Sequence, residues 1–187
     1  QLIVGIKFMT EISALEILEK LVSFPTVSDR SNLELIDWVE EYLNSFHIET
    51  YRKYNDDGNK ASLFAHVGPQ IEGGVVLSGH TDVVPVEGQD WDTDPWTLTE
   101  KNNKLYGRGS CDMKGFNALA IWAMVEGHKS NLKRPLQIAL SYDEEVGCIG
   151  APPMIDEMIK KLPKASMVIV GEPSTMLAVT GHKGALG

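Results

Sequence analysis

The 187 residues carry 26 acidic and 17 basic side chains, a formal net charge of −9, which argues against nucleic acid as a partner, because phosphate recognition needs a basic face. With 43% hydrophobic and 23% charged residues, the composition is that of an ordinary folded chain, long enough for one domain with a real core or one domain plus a piece of another. No apolar run approaches the ~18 residues of a membrane-spanning helix, and Cys111 and Cys148 stand far apart, as reduced thiols of a cytoplasmic protein do, and not as a zinc ribbon or disulfide framework.

In chain order, the apolar start QLIVGIKF lacks a cleavage site for a signal peptide. Met9 resembles a natural start, so residues 1–8 read as an upstream extension or a non-native addition. A helix is predicted over 11–23, capped by Thr10 or Ser13, with Ile12, Leu15, Leu18, Leu21 and Val22 at helical spacing and Pro25 as its stop. SNLELIDWVEEYLNSF predicts a second helix with Leu35, Ile36, Val39 and Leu43 on one stripe, and NDDGNK a turn. ASLFAHV and GGVVLSGH read as strands. From Asp82 to about Asn103 the chain is rich in Asp, Pro and Trp, a long loop of the kind that usually carries function. A strong helix starts near Gly115. PLQIALSY reads as a buried strand, APPMIDEMIKKL as a helix and ASMVIVG as a strand. Strands alternating with helices predict an α/β layered domain with a mainly parallel sheet.

Potential ligands stand where these strands end. His80 and Asp82 follow VVLSG, Asp143, Glu144 and Glu145 follow LQIALSY, and Glu172 follows MVIVG, while Asp112 precedes the strong helix. Open α/β sheets bind ligands outside the carboxyl ends of their strands. Gathered carboxylates repel one another and stay ionised together only beside cations. A divalent metal meets that need, and histidine with carboxylates suits zinc. Asp82, two residues after His80, falls on the same side of an extended chain, where it can hold the other ring N–H of the imidazole. In the pair Glu144–Glu145, one carboxylate can bind metal while its neighbour takes a proton from an activated water. Asp112, with two oxygens, can bridge two metals.

Neighbouring residues carry less. Cys111 has no evident base and reads as a packed thiol. Gly107 and Gly109 permit a tight loop approach. Lys114 either tunes Asp112 or faces solvent, and Trp91 and Trp96 anchor the long loop. No GxSxG elbow and no GxxxxGK[ST] loop is present.

SGHTDVVPV, the following W and DPW, LYGRGSCDMKG, SYDEEVGCIGA and VIVGEPS resemble, in order and spacing, the metal-dependent amidohydrolases that include acetylornithine deacetylase, succinyl-diaminopimelate desuccinylase, aminoacylase and glutamate carboxypeptidase. The wording is most similar to the acetylornithine deacetylase branch. The resemblance implies a three-layer α/β/α zinc-peptidase-like catalytic domain with a mainly parallel mixed sheet. It implies two divalent metal ions, zinc first and cobalt as the alternative. His80 and Glu172 would hold one metal, Asp112 would bridge, Glu145 would hold the second, Glu144 would be the general base and acid, and Asp82 would support His80. A cis peptide is expected between Asp112 and Met113.

The implied reaction removes the acetyl group from N2-acetylornithine in the cytoplasm, in a full-length homodimer, with no nucleic-acid or membrane partner. N-succinyl-diaminopimelate or another N-acyl amino acid remains an alternative substrate, and a catalytically incomplete metal-binding fragment an alternative of another class. The sequence departs from the family in one respect. The family's last ligand is a histidine near the end of a much longer chain, and His182 stands in the wrong place to replace it. Residues 9–180 accordingly read as the N-terminal part of a catalytic domain that is incomplete at its C-terminus, and 181–187 as the start of a lid and dimerisation domain.

Overall fold

A computed structural model describes residues 9–181. Residues 1–8 and 182–187 lie outside the described residues, and with them the readings of the chain start, of His182 and of all but the first residue of a lid domain. Helix α1, Ala14–Val22, is capped by Ser13. The Ser13 hydroxyl accepts the Glu16 N–H and the Glu16 carboxylate accepts the Ser13 N–H, a reciprocal box that satisfies two otherwise orphaned donors. Its buried stripe is Ile17, Leu18, Leu21 and Val22. Leu15, expected on that stripe, is exposed, because the helix turns Ile17 inward instead. Helix α2, Leu33–Ser45, buries Leu35, Ile36, Val39, Tyr42 and Leu43. Helix α3 is Lys114–Lys129 and α4 is Ala151–Lys161.

The strands are β1 Thr50–Tyr54, β2 Ala61–Val67, β3 Val75–His80, β4 Thr99–Lys101, β5 Lys104–Tyr106, β6 Leu136–Ser141 and β7 Met167–Val170. Five of them form one sheet in the order β1-β2-β6-β3-β7. β3 is parallel to both β6 and β7, and β2 is antiparallel to both β1 and β6, so four strands run one way and β2 runs against them. The expected mainly parallel mixed sheet is therefore present.

Strand alternation separates two cores. Leu63, Ala65, Val67, Ile138 and Leu140 face α1, α2 and α3, whereas Phe64, Ala139 and Val76 face Met154, Met158 and the following Leu162 on the α4 side. The result is the expected three-layer α/β/α arrangement. β7 lies at the sheet edge with Met167, Val168, Ile169 and Val170 all exposed.

Three strands went unread in the sequence. β1, TYRKY, is an edge strand whose Arg52 is held by Asp37 and Glu40 of α2 in place of apolar burial. β4 and β5 form a small hairpin at the end of the long loop, turned by Asn102 and Asn103, both at positive φ (55° and 57°). Adjacent asparagines tolerate that conformation, and KNNK was the available signal.

Candidate functional site

The sheet register brings three strand ends level. His80 pairs with Ser141, and Ser78 pairs with Val170. The pairing continues outward through Thr81 N–H to the Ser141 carbonyl (2.9 Å) and Gly171 N–H to the Ser78 carbonyl (3.2 Å). The residues that follow, Asp82, Asp143–Glu145 and Glu172, thus leave the sheet on one edge. Asp112 arrives there from the loop before α3. That loop is tied to β3, since the Asn117 amide donates to the His80 carbonyl (2.6 Å) and the His80 N–H points at the Met113 sulfur (3.3 Å). The Asp112–Met113 peptide is cis, as expected. Gly109, at φ 81°, has no room for a side chain: a Cβ would lie 2.8 Å from Val83 and 3.1 Å from Lys114.

Around the buried His80, one ligand atom each from His80, Asp112 and Glu172 lies within 4.8 Å of the others. Nε2 of His80 is 3.2 Å from Asp112 Oδ1, 3.7 Å from Glu172 Oε1 and 3.9 Å from Glu144 Oε2. Glu145 lies outside that three-residue group. The half-exposed carboxylates leave the space in front of Nε2 open to solvent.

Asp82 has more partners than its expected role required. Nδ1 of His80 is 2.9 Å from the main-chain carbonyl of Asp82 and 3.5 Å from its carboxylate. The carboxylate accepts the Ser28 hydroxyl (2.7 Å), the Glu144 N–H (3.1 Å) and the Glu145 N–H (3.3 Å). It therefore ties the end of β3 to the turn after β6. In that turn Asp143, read as one of a run of acids, is buried and paired through both oxygens with Lys60 (2.7 and 2.8 Å). Ser28 and Lys60 were not picked out in the sequence. Each lies more than fifty residues from its partner, so only a long-range pairing could have revealed them.

The electrostatics match a crowded anionic cleft. Burial disfavours the imidazolium of His80, but the Asp82 hydrogen bond and charge, with Glu172, outweigh it and raise its pKa to about 9. Burial raises Glu172, and repulsion from Asp112 and Glu144 adds to this against the pull of His80. Glu145 is raised first by burial and then by the charge of Asp112. Asp82 goes the other way: burial opposes its charge, but hydrogen bonds from His80, Ser28 and the Glu144 N–H hold it low. Two carboxyls held above their usual range beside a third carboxylate form a crowded set whose repulsion a divalent cation would relieve, and an imidazole with carboxylate oxygens suits zinc or a similar ion. The residues present fit such a cation.

Two expectations are corrected. Cys111 is exposed, not packed. Lys114 neither faces solvent nor contacts Asp112; it is fully buried, its ammonium donating to the Phe24 carbonyl (2.7 Å) and lying 5.9 Å from the Trp96 ring. Cys148 is also free, its sulfur 3.5 Å from Glu144 Oε1. Trp91, in the long loop, is covered by the Arg108 guanidinium at 5.1 Å.

Residues 76–182 match the model of peptidase family M20/M25/M40. The chain belongs to that family. An acetylornithine deacetylase of Buchnera aphidicola subsp. Schizaphis graminum is 36% identical over 178 residues, 92% of this chain and 46% of its own length. One from Pasteurella multocida is 36% identical over 182 residues, 94% of this chain and 47% of its own. The chain thus spans about half the length of the curated relatives it matches. Among solved structures, an M20 family metallo-carboxypeptidase from Sulfolobus solfataricus superposes with a TM-score of 0.73 at 22% identity, over 86% of this chain and 37% of that one. Human carnosine dipeptidase 1 gives 0.70 at 21%, over 84% and 37%. Both likenesses show a shared fold. Among the described residues, no helix is long and apolar enough to cross a membrane.

Proposed function

We propose that this M20 chain is the metal-binding part of an amide hydrolase acting on N-acyl amino acids, with N2-acetylornithine as its substrate and ornithine and acetate as products. The observation that carries the reading is the convergence of His80, Asp112 and Glu172 within 4.8 Å, with a Glu144 oxygen 3.9 Å from the same imidazole nitrogen. Identity to acetylornithine deacetylases across most of this chain supports the substrate.

In this reading His80, Asp112 and Glu172 would hold a divalent ion and Glu145 would serve a second with Asp112, zinc being preferred and cobalt accepted. Bound cations would polarise the amide carbonyl and acidify water. Glu144 takes the proton from the attacking water and returns it to the departing nitrogen, which needs a carboxylate that is near the cleft yet not itself a ligand. Asp82 holds His80 through its backbone carbonyl and the Glu144–Glu145 turn through its carboxylate.

The test is elemental analysis of purified protein beside acetate release from N2-acetylornithine, with N-succinyl-diaminopimelate and N-acetylmethionine as competing substrates. Bound zinc or cobalt and a highest kcat/KM on acetylornithine are expected. A higher kcat/KM on another of the three would reassign the substrate. Bound metal with no hydrolysis of any would reduce the protein to a metal-binding unit.

A further inference from the structure

The turn that carries Glu144 and Glu145 is held from the opposite side of the sheet edge. β2 runs against its neighbours, so its N-terminus, not its C-terminus, lies beside the end of β6. Lys60, directly before β2, is brought there by that reversal. Its ammonium, largely buried, bridges both oxygens of Asp143 and the Ser28 carbonyl (2.5 Å). Asp143 sits at φ 57°, in the left-handed region that non-glycine residues avoid unless something holds them. That conformation bends the chain so that the next two N–H groups, of Glu144 and Glu145, both meet the Asp82 carboxylate. Ser28 closes the ring, giving its carbonyl to Lys60 and its hydroxyl to Asp82. Neither Lys60 nor Ser28 is within reach of the cleft through any contact of its own with His80, Asp112 or Glu172.

We propose that Lys60 is a positioning residue, which fixes the Glu144–Glu145 turn by locking Asp143 and Ser28 while never touching the substrate. This rests on the amide-hydrolase reading above. A charged, bidentate clamp on a buried carboxylate gives one geometry where a hydrogen bond alone allows several. The carboxylates it aligns are the base and a ligand, for which small displacements cost much.

The test compares wild type, Lys60→Met, Lys60→Arg and Asp143→Asn. Amide hydrogen exchange is read in the metal-free protein, and kcat and KM for N2-acetylornithine in the zinc-loaded protein. In Lys60→Met, exchange at Glu144 and Glu145 should quicken by roughly 10-fold or more while β2 and β6 amides keep their protection. kcat should fall by about 10–100-fold, as for a misplacement of about 1 Å, with KM moving by less than about 3-fold. Lys60→Arg, whose guanidinium can also span both oxygens, should recover most of both. Should Lys60→Met fail to fold, Asp143→Asn, which keeps an acceptor but not the charge, carries the same readings. Unchanged exchange, or faster exchange with wild-type kcat, overturns the proposal while leaving the hydrolase reading intact. A wild-type protein that hydrolyses none of the N-acyl amino acids sinks that reading and this inference with it.

Discussion

The main-chain carbonyl of Asp82 is the nearer partner of His80 Nδ1, at 2.9 Å against 3.5 Å for its carboxylate. The backbone is therefore the closer hold on the ring, while the carboxylate acts on it at longer range and also accepts the Ser28 hydroxyl and two backbone N–H groups. Asp82→Asn replaces one acceptor oxygen by a donor and sets an NH2 against groups that already donate. Loss of about 1–3 kcal/mol in folding stability is expected from the unsatisfied donors. Zinc affinity should fall by about 10–100-fold as the supporting shell loosens. Chemical denaturation and zinc titration check the two effects separately.

Glu144→Gln keeps the shape of the side chain but removes its capacity to take a proton. Turnover of N2-acetylornithine should fall by about 10²–10⁴-fold, while zinc content and thermal stability stay at wild-type levels. Full turnover in this variant would assign the base elsewhere.

Lys114 is an ammonium buried beneath the loop that carries Asp112, and burial lowers its pKa to about 7 against the pull of Asp82. Below pH 7 the lysine is charged in both the folded and unfolded chain, so the full cost of burying the charge is borne. Between about 7 and the ordinary lysine value of about 10.5, the unfolded chain holds the proton that the folded chain has released. The contribution of this group to stability therefore rises with pH across that window. Lys114→Met should gain stability over wild type most at pH 6 to 7, and the advantage should shrink steadily towards pH 10. Denaturation midpoints at three pH values suffice. A difference that stays flat with pH would contradict the buried charge.

Asn32 is buried and joins three elements: its amide donates to the Ala61 carbonyl (2.8 Å) and the Thr81 hydroxyl (2.9 Å), and its oxygen accepts the Ala61 N–H (2.9 Å). Asn32→Ala leaves the Ala61 N–H and C=O without partners at the start of β2, next to Lys60. A loss of about 2–6 kcal/mol is expected, the cost of two unsatisfied buried groups. Because Lys60 would shift with β2, faster exchange at Glu144 should accompany it.

Much of the architecture could be read locally. The spacing of Leu35, Ile36, Val39 and Leu43 announced α2, and all four are buried. ASLFAHV is β2 from its first residue to its last. His80, Asp112 and Glu172 were placed at strand and helix boundaries, and the fold brings them together. β1 escaped because an edge strand held by ion pairs has no apolar alternation, and the β4–β5 hairpin because each of its strands is only three residues long.

Local pattern determined the helices and the apolar strands β2, β3, β6 and β7, and which residue types stand at their ends, because side-chain periodicity and capping act over a few residues. Only the tertiary structure decided that β2 runs backwards, that Lys60 meets Asp143 across 83 residues of chain, that Lys114 is buried and that Cys111 is not. Strand order and burial depend on pairings between distant segments, whose closure no short stretch of sequence records.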